Sequence, residues 1–158
     1  MKTILLATLC VLMSHISHSQ WSYERVVSAQ DGSYAIAYTR GTSDGDYSVL
    51  LKMESIKENV MLYVQGDYPV GEVFVDAIFI TPKGNYSVPF QGFVPNDGSI
   101  IVLDKQMDKG YYLPYFYQAT EIVMKVVFED KSYSEQYYTF NMQYSTKAFN
   151  FIYANRFM

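Results

Sequence analysis

The sequence predicts a mainly β protein: an antiparallel β-sandwich, or small barrel, of about eight strands with two short helices. Three observations carry this prediction. Apolar residues alternate with polar ones in run after run, the pattern of half-buried strands. Turn-forming Asp-Gly and Pro-x-Gly groups divide these runs at short intervals. The chain also holds 16 Tyr and 10 Phe among 158 residues, and both types favour strands.

The alternation is legible run by run. Tyr47, Val49, Leu51 and Met53 alternate with Ser48, Lys52 and Glu54, Leu50 being the exception. Val73, Val75, Ala77 and Phe79 share one face, as do Ile122, Met124, Val126 and Phe128 against Glu121, Lys125 and Glu129. Tyr138 and Phe140 alternate with Tyr137, Thr139 and Asn141. Further strands are expected over 21–29, 34–40, 59–66, 85–91 and 99–104. Asp31-Gly32, Asp44-Gly45 and Asp97-Gly98 offer the positive-φ position of tight turns. Pro82-Lys83-Gly84 and Glu129–Ser132 read as turns as well.

Two segments break the period of two. In 112–120, Leu113, Phe116, Tyr117 and Thr120 recur at helical spacing, and Pro114 suits a first helical turn. In 145–155, Ser145 is the expected N-cap, followed by an apolar stripe of Ala148, Phe149 and Ile152.

The N-terminus has the composition of an export signal. Lys2 precedes the apolar run Ile4–Met13, which is shorter than the roughly 20 residues a membrane-spanning helix needs. Ser17 and Ser19 supply small residues at the −3 and −1 positions of a cleavage site. The expected organisation is a signal peptide over residues 1–19 and one domain over 20–158, in the periplasm or outside the cell, meeting a membrane only during export.

Cleavage there removes Cys10, His15 and His18, the sole cysteine and both histidines. The mature chain then has no Ser-His-Asp or Cys-His nucleophile, no Cys/His zinc site and no thiol redox pair. Any acid–base catalyst would have to be a carboxylate, Lys or Tyr with a shifted pKa. No cofactor is indicated. The chain carries 12 basic and 16 acidic residues, the basic ones scattered, which disfavours a phosphate-binding surface and hence nucleic acid.

A few residues stand out as candidates. Tyr111, Tyr112, Tyr115 and Tyr117, with Trp21, could form a stacking platform for a carbohydrate or an anchor patch for a protein. Packing of the same rings against the core is the structural alternative. Asp44 and Asp46 flank Gly45 in a D-x-D spacing that could offer oxygen ligands to Ca²⁺, but two carboxylates fall short of the six to eight oxygens Ca²⁺ takes, and a hairpin turn using Asp-Gly is the simpler reading. Asp76 interrupts an apolar strand, and Glu72 lies on the same face. Four residues of strand separate them by about 13 Å, too far for a glycosidase pair.

The order of features is an exported N-terminus, Trp21, a strand meander, a short helix ending at Gln118-Ala119, a hairpin, and a closing helix in YYTFNMQYSTKAFNFI. In this order the chain resembles the invasion-associated locus B family of periplasmic proteins. That family usually carries cysteine pairs, and this mature chain has none. The resemblance implies an envelope-associated accessory protein and supplies no site residues. Three functional readings follow: an exported non-enzymatic binding protein, a small outer-membrane barrel, or a carboxylate-dependent glycosidase.

Overall fold

The computed structural model describes residues 21–28, 32–43, 46–56, 59–103 and 112–155. Among these are nine strands: β1 (Ser22–Ser28), β2 (Gly32–Ser43), β3 (Asp46–Ile56), β4 (Asn59–Gln65), β5 (Gly71–Thr81), β6 (Gly84–Val94), β7 (Ile100–Leu103), β8 (Glu121–Phe128) and β9 (Gln136–Asn141). Two helices accompany them, α1 (Leu113–Gln118) and α2 (Ser145–Ala154). The strand order β1-β2-β3-β4-β7-β6-β5-β8-β9 is antiparallel throughout, and β9 also pairs with β2. That last pairing closes an eight-stranded barrel, with β1 as an extra strand laid along the first half of β2. Of the two expected architectures, sandwich and small barrel, the chain adopts the barrel.

The alternation explains why the sheet closes on itself. On β5 the inward set is Val73, Val75, Ala77 and Phe79, all buried, while Glu72, Phe74 and Asp76 point outward. β8 puts Ile122, Met124, Val126 and Phe128 inside, and β3 puts Val49, Leu51 and Met53 there. The eight strands of the closed barrel, β2 to β9, thus each contribute an apolar face to a single core. Burying each large aliphatic or aromatic side chain stabilises the fold by about 1.5–3 kcal/mol.

Turns follow the expected chemistry where they are described. The β5–β6 hairpin turns at Pro82-Lys83, and the Thr81 hydroxyl donates to the Gly84 carbonyl at 2.8 Å while accepting the Lys83 N–H at 3.1 Å. Gly98 has a φ of +68°, and the Asp97 carboxylate accepts both the N–H and the hydroxyl of Ser99. Asp31-Gly32 and Asp44-Gly45 each include residues outside the described set.

The helices close one end of the barrel. α2 packs against β2 and β3 and buries Ala148, Phe149 and Ile152. α1 starts with Pro114 in its first turn and drives Phe116 into the core. One local expectation is corrected here. Ser145 is the first residue inside α2, buried, and Tyr144 holds the N-cap position in a left-handed conformation with φ 67°. The Asn141 side chain accepts the Gln143 N–H at 2.8 Å, and the Met142 carbonyl accepts the Ser145 N–H at 3.1 Å. These two bonds start the turn earlier than a Ser145 cap would.

Candidate functional site

The tyrosines singled out in the sequence gather at the helical end, and they are packed. Tyr112 sits 5.1 Å from Phe90, ring centre to ring centre; Tyr115 lies 5.7 Å from Phe79 and 5.5 Å from Tyr86. Tyr117 meets Phe149 at 6.0 Å and donates its hydroxyl to Asn150 at 2.7 Å. Trp21 is buried, edge-on to Phe149 at 5.0 Å. Together with Phe116 these rings form a continuous aromatic plug. Tyr111 lies outside the described residues. So does Asp44; Asp46 opens β3, and its side chain is outside the described set. Among the described residues no three His, Cys, Asp or Glu side chains gather as a metal site. Asp76 and Glu72 both face outward on β5, and the Asp76 carboxylate accepts the Ser87 hydroxyl.

The opposite end of the barrel is open. There a cavity of about 660 Å³ lies between the end of β2 (Ser43), the start of β3 (Val49, Leu50), the β4–β5 loop and the first residues of β9. That volume is within the roughly 300–1,000 Å³ typical of small-ligand pockets.

The β4–β5 loop is fixed by two backbone bonds. Gly66 N–H donates to the Ser99 carbonyl at 3.0 Å, and Tyr68 N–H to the Gly98 carbonyl at 2.8 Å. The Tyr68 ring folds back over Gly66, where a side chain would collide with it. Its ring centre is 6.4 Å from that of Phe128 and 6.3 Å from that of Tyr138, which caps the core at this end. Tyr68 is 6% exposed, and its hydroxyl meets the Tyr138 phenol. Burial, and then the neighbouring Tyr138 phenol, push the Tyr68 pKa up.

The rim is acidic and amide-rich. Gln65, Asp67, Glu135 and Gln136 line it, and no Lys, Arg or His does so among the described residues. Glu135 is paired with Lys125 at 2.9 Å and accepts the Tyr137 hydroxyl at 3.1 Å. These contacts hold its carboxyl below the usual carboxylate range, the Lys125 bond contributing most. The Tyr138 hydroxyl donates to the Gln136 side chain. Asp67 is exposed and forms no ion pair among the described residues.

None of these rim residues stands out in the sequence. Only the segment Gln65-Gly66-Asp67-Tyr68-Pro69 carries a signal, a turn-rich stretch with an aromatic residue in its middle. A second, apolar hollow of about 550 Å³ lies on the outer wall beside Met61, Phe93 and Val102, next to the end of the four-residue β7.

No protein-family model and no curated protein sequence matches this chain. Among solved structures, the crystal structure of invasion-associated protein B from Bartonella henselae is similar, with a TM-score of 0.54 and 11% identity over 87% of this chain and 94% of that one. The chain therefore shares the fold of an invasion-associated protein B, as the order of its strands and its closing helix led one to expect.

Proposed function

We propose that this chain is an exported, non-catalytic binding protein of the cell envelope or extracellular space, and that the cavity at the open end of the barrel holds its ligand. The observation that carries the reading is the asymmetry of the barrel. One end is plugged by aromatic rings, and at the other a polar cavity lies beside the buried Tyr68 and Tyr138 phenols. Export is supported by Lys2, the apolar run Ile4–Met13 and the small residues before Gln20. The fold shared with an invasion-associated protein is in keeping with it.

The chemistry of the rim favours binding over catalysis. A glycosidase needs one carboxylic acid with a raised pKa. Glu135, at the cavity, is shifted the other way by Lys125.

A closed eight-stranded barrel also invites comparison with outer-membrane proteins. Those barrels turn an apolar band outward and a polar surface inward. This one does the reverse: its interior is aliphatic and aromatic, and its outer wall carries the Lys52–Glu54 and Lys125–Glu135 pairs and Asp76. The protein is expected to stay in aqueous solution without detergent.

Native mass spectrometry of the protein secreted by its host tests the proposal. The expected mass corresponds to a chain starting at Gln20, with a small non-covalent adduct that Ser134→Trp, which fills the cavity, removes. An intact Met1 on a cytosolic product would overturn export. Identical adducts on the parent and the variant would overturn the assignment of the cavity.

A further inference from the structure

We infer that the ligand of the open-end cavity is a small sugar carrying an ammonium group, an amino sugar. This rests on the reading of the cavity as the binding site and adds the chemical class of what enters it.

Charge comes first. Of the two carboxylates at the rim, Glu135 is already neutralised by Lys125 at 2.9 Å, whereas Asp67 has no cationic partner among the described residues. An anionic ligand would meet uncompensated negative charge there, and a cation would be attracted. The hydrogen-bonding groups come second. Gln65 and Gln136 carry side-chain amides that can both donate and accept. A polyol, whose every hydroxyl donates and accepts, matches that mixture; a simple alkylamine leaves most of it unused. The third element is an aromatic face. Tyr137 is half exposed and lines the cavity, and its hydroxyl bond to Glu135 at 3.1 Å holds the ring in place. A flat, immobilised ring of this kind packs against the C–H face of a pyranose with little loss of side-chain freedom. The cavity has room for a mono- or disaccharide.

The residues act together. Asp67 accepts from the ammonium, Tyr137 supports the ring, and the Gln65 and Gln136 amides bond the ring hydroxyls. Because Asp67 is exposed, its contribution is modest and falls with added salt.

The test is an NMR titration of the mature chain at low ionic strength with glucosamine, glucose and glucuronate, following the amides of Gly66, Asp67 and Gln136. Glucosamine is expected to bind tighter than glucose by on the order of twofold to fivefold, the scale of an exposed ion pair. Glucuronate is expected to bind weakest. Asp67→Asn should abolish the preference for glucosamine over glucose, and Tyr137→Ala should weaken all three alike. Equal affinity for glucosamine and glucose, unchanged in Asp67→Asn, would overturn the cationic inference while leaving the cavity as the site. No perturbation of cavity amides by any of the three sugars would overturn the sugar class. Undiminished sugar binding by Ser134→Trp would overturn both, because the sugar would then sit elsewhere.

Discussion

Gly41 and Phe140 face each other across the seam where β2 and β9 close the barrel, and a Cβ on Gly41 would come within 2.3 Å of the Phe140 ring. The ring lies over the bare backbone of the glycine and fills the space its missing side chain leaves, which lets the two strands meet at a point where only two residue pairs join them. Closure of the barrel thus depends on one small and one large residue, each suited to the other.

Gly41→Ala is therefore expected to destabilise the fold by about 1–3 kcal/mol, the usual cost of forcing a group into a packed core. In a Phe140→Leu background the same change should cost less, because the shorter side chain vacates the position. Urea denaturation of the four proteins in this cycle measures the coupling. Additive losses would mean that the seam tolerates a Cβ by another route.

Phe149 is the hub of the aromatic plug, in contact with Trp21, Phe116 and Tyr117. Phe149→Ala is expected to cost about 3–5 kcal/mol. Trp21, the chain's one tryptophan, reports on it directly: its emission should be blue-shifted in the native protein and move to the red on unfolding. The Trp21 indole N–H is buried without a partner among the described residues, so Trp21→Phe should be much milder than Phe149→Ala.

Tyr63 links pH to stability. Burial, and then the negative charge of Glu54, push its pKa up from 10.0 to about 12. A folded-state pKa above the unfolded one means stability fully present below pH 10 and lost as pH rises toward 12. The protein should accordingly weaken across that alkaline window. Glu54→Gln should move the ionisation of Tyr63, followed by its phenolate absorbance, to lower pH.

Glu135 behaves in the opposite sense. Its carboxyl is held low by Lys125 and Tyr137, so whatever stability the pairing contributes is present above the unfolded carboxylate pKa and lost as pH falls through the folded one. Both partners are exposed, so the effect on unfolding should be slight. The clear readout is the titration itself: Lys125→Met should raise the Glu135 midpoint in an NMR titration.

Gly98 anchors the backbone of the cavity residue Tyr68. It has a φ of +68°, and a Cβ there would come within 2.8 Å of the Tyr68 carbonyl. Gly98→Ala is expected to cost about 1–2 kcal/mol from the left-handed backbone and to loosen the bond that anchors Tyr68. Faster hydrogen exchange at the Tyr68 amide, with core amides little changed, is the expected signature.

The sequence by itself determined the antiparallel strands and their inward faces, because the identity of the residue at every second position is a local property that any sheet must respect. It also marked the two helices, through Pro114 and the spacing of Ala148, Phe149 and Ile152. Only the tertiary structure decided between a sandwich and a closed barrel, since both bury the same alternating face, and the pairing of Gly41 with Phe140 joins residues far apart in the chain. It also decided the fate of the tyrosines: Tyr112, Tyr115 and Tyr117 pack because α1 and α2 fold over one end of the barrel. The cavity residues, among them Gln65, Asp67, Tyr68 and Glu135, come from segments that have nothing in common until the strands carrying them are brought to the same end, and no local pattern can announce such a meeting.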